Sequence, residues 1–314
     1  MYSQDQIVGK YRIIKNLGAG GFGAVYLAED TLIGKQVALK VPHRQNQDIE
    51  SLSAEAKVMA PLNHPNIVSV LTADQDPASG AFFIVMEYVE GESLSEKLAR
   101  EGSLDETAVL RLAVEITDAV RYSHEKNVLH RDLRPSNVLI TRTGQAKVVD
   151  FSISRLLEKN PYASTRIGSP PYMAPEHFQG RAIFASDVYA IGVMLYEMVT
   201  GTLPFFDPNP SKIEEMVAAG HFTPPNLKNR RVSKEFSDII VKAMARDLSQ
   251  RYRSAVDLLK DLKRLRLTTP KDRELEDIRR RIAARETPQG APCFNCRKPL
   301  PKRAVRCPFC GEPQ

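Results

Sequence analysis

The chain of 314 residues is 42% hydrophobic, which allows a sizeable buried core and argues against wholesale disorder. Its formal charge is +6, but residues 267–314 carry 11 Lys and Arg against 6 Asp and Glu. The main body is therefore nearly neutral and lacks the broad basic footprint of a nucleic-acid-binding domain. No basic start followed by an apolar run opens the chain, and its most apolar helix-like stretch, Val188 to Val199, is too short to span a bilayer and contains Glu197. A cytoplasmic protein with no membrane segment is expected.

Residues 11–42 alternate apolar and polar in short runs broken by glycines, predicting antiparallel strands over Tyr11–Leu17, Ala24–Glu29 and Gln36–Val41. A helix over Ile49–Pro61 places Leu52, Ala56 and Met59 on one face. Two more strands are predicted over Ile67–Ala73 and Ala81–Tyr88. From Leu94 the pattern turns helical: Leu94–Arg100, Asp105–His124, Ser186–Thr200, Ser211–Ala219, Ser233–Ala245 and Ser254–Leu265. Several of these begin at a Ser or Asp suited to capping. A strand-rich first third and a helical remainder predict an α+β, two-lobed domain over 11–266. Residues 267–290 read as a charged helical linker, with Leu275, Ile278 and Ile282 at helical spacing, and 291–314 as a small separate module.

Gly18, Gly20 and Gly23 form G-x-G-x-x-G, and Ala24-Val25-Tyr26-Leu27 continues as a strand. A dinucleotide-binding loop would lead into a helix instead. The segment Gly18-Ala19-Gly20-Gly21-Phe22-Gly23 is thus a candidate phosphate loop, because glycines let backbone approach phosphate closely. An ordinary Gly-rich hairpin is the alternative for the motif taken alone. The strand Val37-Ala38-Leu39-Lys40 follows, ending in a lysine able to hold phosphates as a point charge, and Glu55 on the next helix is a natural partner to fix it.

The deciding block is His130-Arg131-Asp132-Leu133-Arg134-Pro135-Ser136-Asn137, followed by apolar Val138-Leu139-Ile140. Lys147-Val148-Val149-Asp150-Phe151-Ser152, Ala174-Pro175-Glu176, Asp187 and Arg251 come after it. In this order the motifs resemble those of the eukaryotic-type protein kinase family from about Tyr11 to Leu265, and especially its bacterial serine/threonine branch. The resemblance implies a bilobal kinase fold: a small antiparallel sheet plus one helix, then a helical lobe. It implies transfer of the ATP γ-phosphate to Ser/Thr hydroxyls of protein substrates. Asp132 would be the base, Asn137 and Asp150 would bind magnesium (manganese being able to substitute), and Lys40 and Glu55 would hold the nucleotide. Adenine would lie between Leu17, Val25 and Ala38 above and Leu139 below. Met86 would guard the back of that pocket, and Glu87-Tyr88-Val89 would join the lobes, Val89 offering its backbone to the base. Asp187 is expected to support the catalytic loop, and Arg251 to pair with Glu176.

Three positions depart from the family pattern. Ser152 replaces the glycine of D-F-G, and Ser169 a threonine facing the substrate. Arg134 replaces the lysine near the transferring phosphate; it keeps the charge but brings a planar fork. A kinase-like scaffold that binds partners without transfer is therefore a competing expectation. Ser164 and Thr165 are candidate autophosphorylation sites whose phosphate could pair with Arg131.

All 4 cysteines cluster as Cys293-x2-Cys296 and Cys307-x2-Cys310, a spacing that predicts one structural Zn2+ on four thiolates, with no open position for catalysis. The module resembles zinc ribbons. Arg297, Lys298, Lys302, Arg303 and Arg306 leave a docking role and nucleic-acid contact as competing readings, docking being favoured.

Overall fold

The computed structural model describes residues 2–20, 23–43, 49–151, 169–266, 293, 295–296, 306–307 and 309–313. Within the first helix, the side chains at 49–51, 54 and 55 are outside that description. The chain divides into two compact units, Met1–Lys263 and Arg264–Gln314. No helix among the described residues is long and apolar enough to cross a membrane.

The first unit is α+β and begins with a curled antiparallel sheet. Its strands are β1 (Ile7–Val8), β2 (Tyr11–Gly20), β3 (Gly23–Asp30), β4 (Lys35–Pro42), β5 (Val70–Gln75) and β6 (Phe82–Glu87), in the order β1-β2-β3-β4-β6-β5. Period-two alternation gives the sheet two apolar faces. On one, Ile13, Tyr26, Leu39, Phe83 and Val85 are buried together; on the other, Ala38, Val68, Ile84 and Met86 pack with Leu52 and Ala56 of α1 (Ile49–Met59). The expected strand over Ile67–Ala73 starts only at Val70, because Ile67 pairs in parallel with Val148 of a second sheet.

That second sheet joins β7 (Gly91–Ser93), β8 (Val138–Thr141) and β9 (Ala146–Val148). A Cβ on Gly91 would lie 1.9 Å from the Ile140 carbonyl oxygen, so only glycine allows this pairing.

Capping decides where the following helices start. Ser93 and Glu96 form a reciprocal capping box on α2 (Leu94–Glu101), and Asp105 accepts from the Thr107 amide at α3 (Glu106–Glu125). Short α4 (Pro175–Phe178) precedes α5 (Phe184–Thr200), which is buried on nearly every side and ends at Gly201 in the left-handed conformation. α6 (Pro210–Ala219), α7 (Pro225–Lys228), α8 (Lys234–Ala243) and α9 (Ala255–Arg266) complete the lobe. α5 begins two residues before the expected Ser186. The Ser186 hydroxyl serves inside the first turn, accepting from the Ile183 amide and donating to Glu176.

Candidate active site

The loop after α3 is held by one carboxylate. Asp187, almost wholly buried in the first turn of α5, accepts from the amides of His130 and Arg131, both at 2.9 Å, and from His124 Nε2 at 2.8 Å. Burial raises the pKa of this carboxyl, but the His124 hydrogen bond, the two imidazoles and the His130 amide outweigh it and hold the group below its ordinary range. The hold is needed because Arg131 has φ 68° and Asp150 φ 58°, left-handed conformations that cost a non-glycine residue about 1–3 kcal/mol.

Asp132 is engaged from two sides. Asn137 Nδ2 donates to its carbonyl at 2.8 Å and to Oδ2 at 3.2 Å, while the amide and hydroxyl of Ser169 both donate to Oδ1 at 3.0 Å. The same Ser169 hydroxyl accepts from Arg134 Nη1 at 2.7 Å. Arg134, Ser169 and Asp132 thus form a guanidinium–hydroxyl–carboxylate chain.

Lys40, buried on β4, donates to Asp150 Oδ1 at 2.8 Å across 110 residues of sequence. His130 Nε2 donates to the Val149 carbonyl at 2.9 Å, and its ring packs 4.7 Å from that of the buried Phe151. These contacts fix the backbone on both sides of Asp150. The backbone of Glu55 lies in α1, but its side chain is outside the described residues, as are Gly21, Phe22, Ser152, Ser164 and Thr165.

Val25, Ala38, Met86, Val89 and Leu139 meet in one apolar cluster. Leu17 lies apart from it, 41% exposed, at a register shift in β2. Gly18, Ala19 and Gly20 face Val25, Ala24 and Gly23 across the hairpin. A Cβ on Gly23 would sit 2.4 Å from the Val41 carbonyl oxygen, so this glycine is required by the approach of β4. Glu87, expected beside adenine, turns its carboxylate to Lys147 Nζ at 2.8 Å and the Ser69 amide at 2.9 Å. Its side chain therefore ties β6 to β9.

Two further pairs frame the segment before α5. Arg251 donates twice to Glu176, at 2.7 and 3.2 Å, both groups being buried. Burial raises the Glu176 pKa, but the Arg251 and Ser186 hydrogen bonds outweigh it and lower the carboxyl below its usual range. The Tyr172 hydroxyl donates to Glu197 at 2.6 Å, and burial keeps the Glu197 pKa above the usual carboxylate range. The Tyr172–Glu197 and Lys147–Glu87 pairs were not visible in the sequence, since each joins residues 25 or more apart with no spacing pattern.

In the second unit, the four cysteine sulfurs lie within 4.8 Å of one another. Cys293 and Cys310 Sγ are 3.6 Å apart, as are Cys296 and Cys307 Sγ. A tetrahedral Zn2+ at the usual Zn–S distance needs edges of about 3.8 Å, so the set fits the ion. The Cys296 amide donates to Cys293 Sγ and the Phe309 amide to Cys307 Sγ. Burial acts to raise the Cys293 thiol, yet neighbouring amides and thiols bring it down to about 6. Of the five basic residues noted in this module, only Arg306 is among the described residues.

With this geometry in view, comparison with known families matches residues 11–262 to the protein kinase domain. The chain belongs to the protein kinase family. This kinase is similar to serine/threonine-protein kinase PrkC of Bacillus subtilis, 34% identical over 82% of the chain and 41% of the relative. It is also similar to serine/threonine-protein kinase PknB of Mycobacterium tuberculosis, 31% identical over 84% of the chain and 44% of the relative. The kinase thus spans about two-fifths of the length of the curated relatives it matches.

Proposed function

We propose that the chain transfers the γ-phosphate of ATP to serine or threonine hydroxyls of proteins. The observation that carries this reading is the convergence of Lys40, Asp132, Asn137 and Asp150 from three separate segments: Lys40 bonds Asp150, Asn137 bonds Asp132, and the Val149 amide donates to the Asn137 carbonyl between the two pairs. Asp132 accepts the substrate hydroxyl proton while the Ser169–Arg134 chain holds its carboxylate in place. Asn137 and Asp150 offer hard oxygen ligands that would hold Mg2+, or Mn2+ in its place, which would supply charge neutralisation for the nucleotide phosphates. Lys40 binds the α- and β-phosphates, with Glu55 as its expected partner. Arg134 stands one hydroxyl away from Asp132 and adds positive charge where the phosphoryl group passes. Adenine lies between Val25 and Ala38 above and Leu139 below, with Met86 at the back, the backbone of Glu87 and Val89 alongside and Leu17 at the rim. Ser164 and Thr165 remain candidate autophosphorylation sites.

The kinase domain is assigned to 11–266, a charged linker to 267–290 and a zinc module to 291–314. Cys293, Cys296, Cys307 and Cys310 hold a structural Zn2+ that substitutes for the core so short a segment lacks. The expected result is one zinc per chain by elemental analysis, lost when the four cysteines are changed to serine; a metal-free native protein would contradict it. ATP and reduced thiolates both suit a cytoplasmic setting.

The test of the kinase reading is transfer of labelled phosphate from ATP to serine or threonine of a protein substrate. Transfer should require magnesium and stop on chelation. Nucleotide binding without transfer under any divalent cation would leave the scaffold reading instead.

A further inference from the structure

We propose that the connection between α7 and α8 is a docking surface for an acidic segment of a partner protein, one with an apolar residue among its carboxylates. Residues 220–234 contain Lys228, Arg230, Arg231 and Lys234 but no Asp or Glu. All four cations are exposed, and Leu227 beside them is 68% exposed. Lys234 pairs with Asp238 at 2.7 Å. Among the described residues, Lys228, Arg230 and Arg231 make no ion pair; Lys228 instead stands over the Tyr196 ring, 5.8 Å from its centre. Cations on other helices are balanced, Lys97 by Glu101 and Arg121 by Asp118 and Glu125.

The backbone that carries these cations is pinned. Asn229 Nδ2 donates to the Val199 carbonyl at 2.7 Å, and its Oδ1 accepts from the Arg231 amide at 3.1 Å. The Ser237 hydroxyl donates to Asn226 Oδ1 at 2.9 Å. The amide and hydroxyl of Ser233 donate to the Glu106 carboxylate at 2.6 and 2.7 Å. Adjacent like charges repel, and the pinned backbone keeps them adjacent, so an anionic partner relieves an existing repulsion and meets groups already in place. The kind of anion follows from extent and from the leucine. Nucleic acid and anionic bilayers call for a wide positive face, whereas this loop is short and the rest of the kinase body is nearly neutral. An exposed leucine next to unpaired cations suits a peptide whose apolar side chain is flanked by Asp or Glu. The surface lies away from the chemistry: its anchor Val199 is 12 residues along α5 from Asp187, about 18 Å at the helical rise.

The experiment follows, by fluorescence anisotropy across a salt series, the binding of a labelled synthetic peptide of Glu and Asp around one Leu to the full chain. The unaltered chain is set beside Arg230→Glu with Arg231→Glu, beside Leu227→Ser, and beside Lys35→Glu with Lys260→Glu. The last pair makes the same change in net charge at exposed positions elsewhere. Reversal at 230 and 231 should weaken binding at least about ten-fold and flatten its salt dependence. Leu227→Ser should weaken it about three-fold, the effect of burying part of one apolar side chain, and the control pair should change it less than about two-fold. The altered side chains are exposed, so the melting temperature should not move. An unaltered chain that does not bind the peptide would overturn the proposal. So would equal weakening by the two reversal pairs, which would reduce the effect to net charge, or tighter binding of duplex DNA or anionic phospholipid vesicles through Arg230 and Arg231. Binding is read without phosphate transfer, so this result and that of the kinase test stand apart.

Discussion

The catalytic loop and the glycine loop are fixed in opposite ways. Around Asp132 the backbone is strained, and each strained residue is held by buried partners: Asp187 on the amides of His130 and Arg131, and His130 on the Val149 carbonyl. Among the described residues of the glycine loop, Gly18 and Gly20 have nothing within 4 Å of where a Cβ would stand, and the Gly20 contact to His43 is made at an exposed edge. The difference follows the chemistry. On the function proposed above, a base must stay within hydrogen-bond reach of one oxygen, whereas a phosphate loop must let each nucleotide in and out.

The largest effect that would sharpen this contrast comes from Asp187→Ala. It leaves two amides and His124 without their acceptor and releases the left-handed Arg131. Phosphate transfer should fall at least a hundredfold, and stability by about 3–5 kcal/mol, the cost of breaking a buried charged network. A variant with normal turnover would show that the loop does not depend on this anchor.

Next in size is Arg251→Ala, which strands the buried Glu176 carboxylate, a group outside the proposed catalytic set, and should cost stability more than chemistry. The Glu176 pKa is lowered on folding, so its contribution is complete above the ordinary carboxylate range and is lost as pH falls through the depressed folded value. Melting temperature followed from pH 7 downward should decline in the unaltered chain, and this part of the decline should disappear in the variant. Parallel pH profiles would contradict the assignment.

Much of this was legible in the sequence because it is local. The box formed by Ser93 and Glu96, the alternation in β3 and β4, and the order of the motifs are all written in short spacings. What escaped was tertiary. Ser186 looked like a cap because serine often is one, but Glu176 and Arg251 draw it into the first turn of α5. Glu87 is legible as part of the segment joining the lobes, but nothing nearby announces its side-chain pair with Lys147, 60 residues away. His43 sits outside every motif, and only the curl of the sheet brings it to Gly20.

The most direct measurement sets Asp132→Asn beside the unaltered chain, following nucleotide binding and phosphate transfer on the same preparations. The substitution preserves shape while removing the proton acceptor, so binding should persist and transfer should vanish. Transfer at an equal rate would mean that the base lies elsewhere and that the convergence on this cleft is not the catalytic centre.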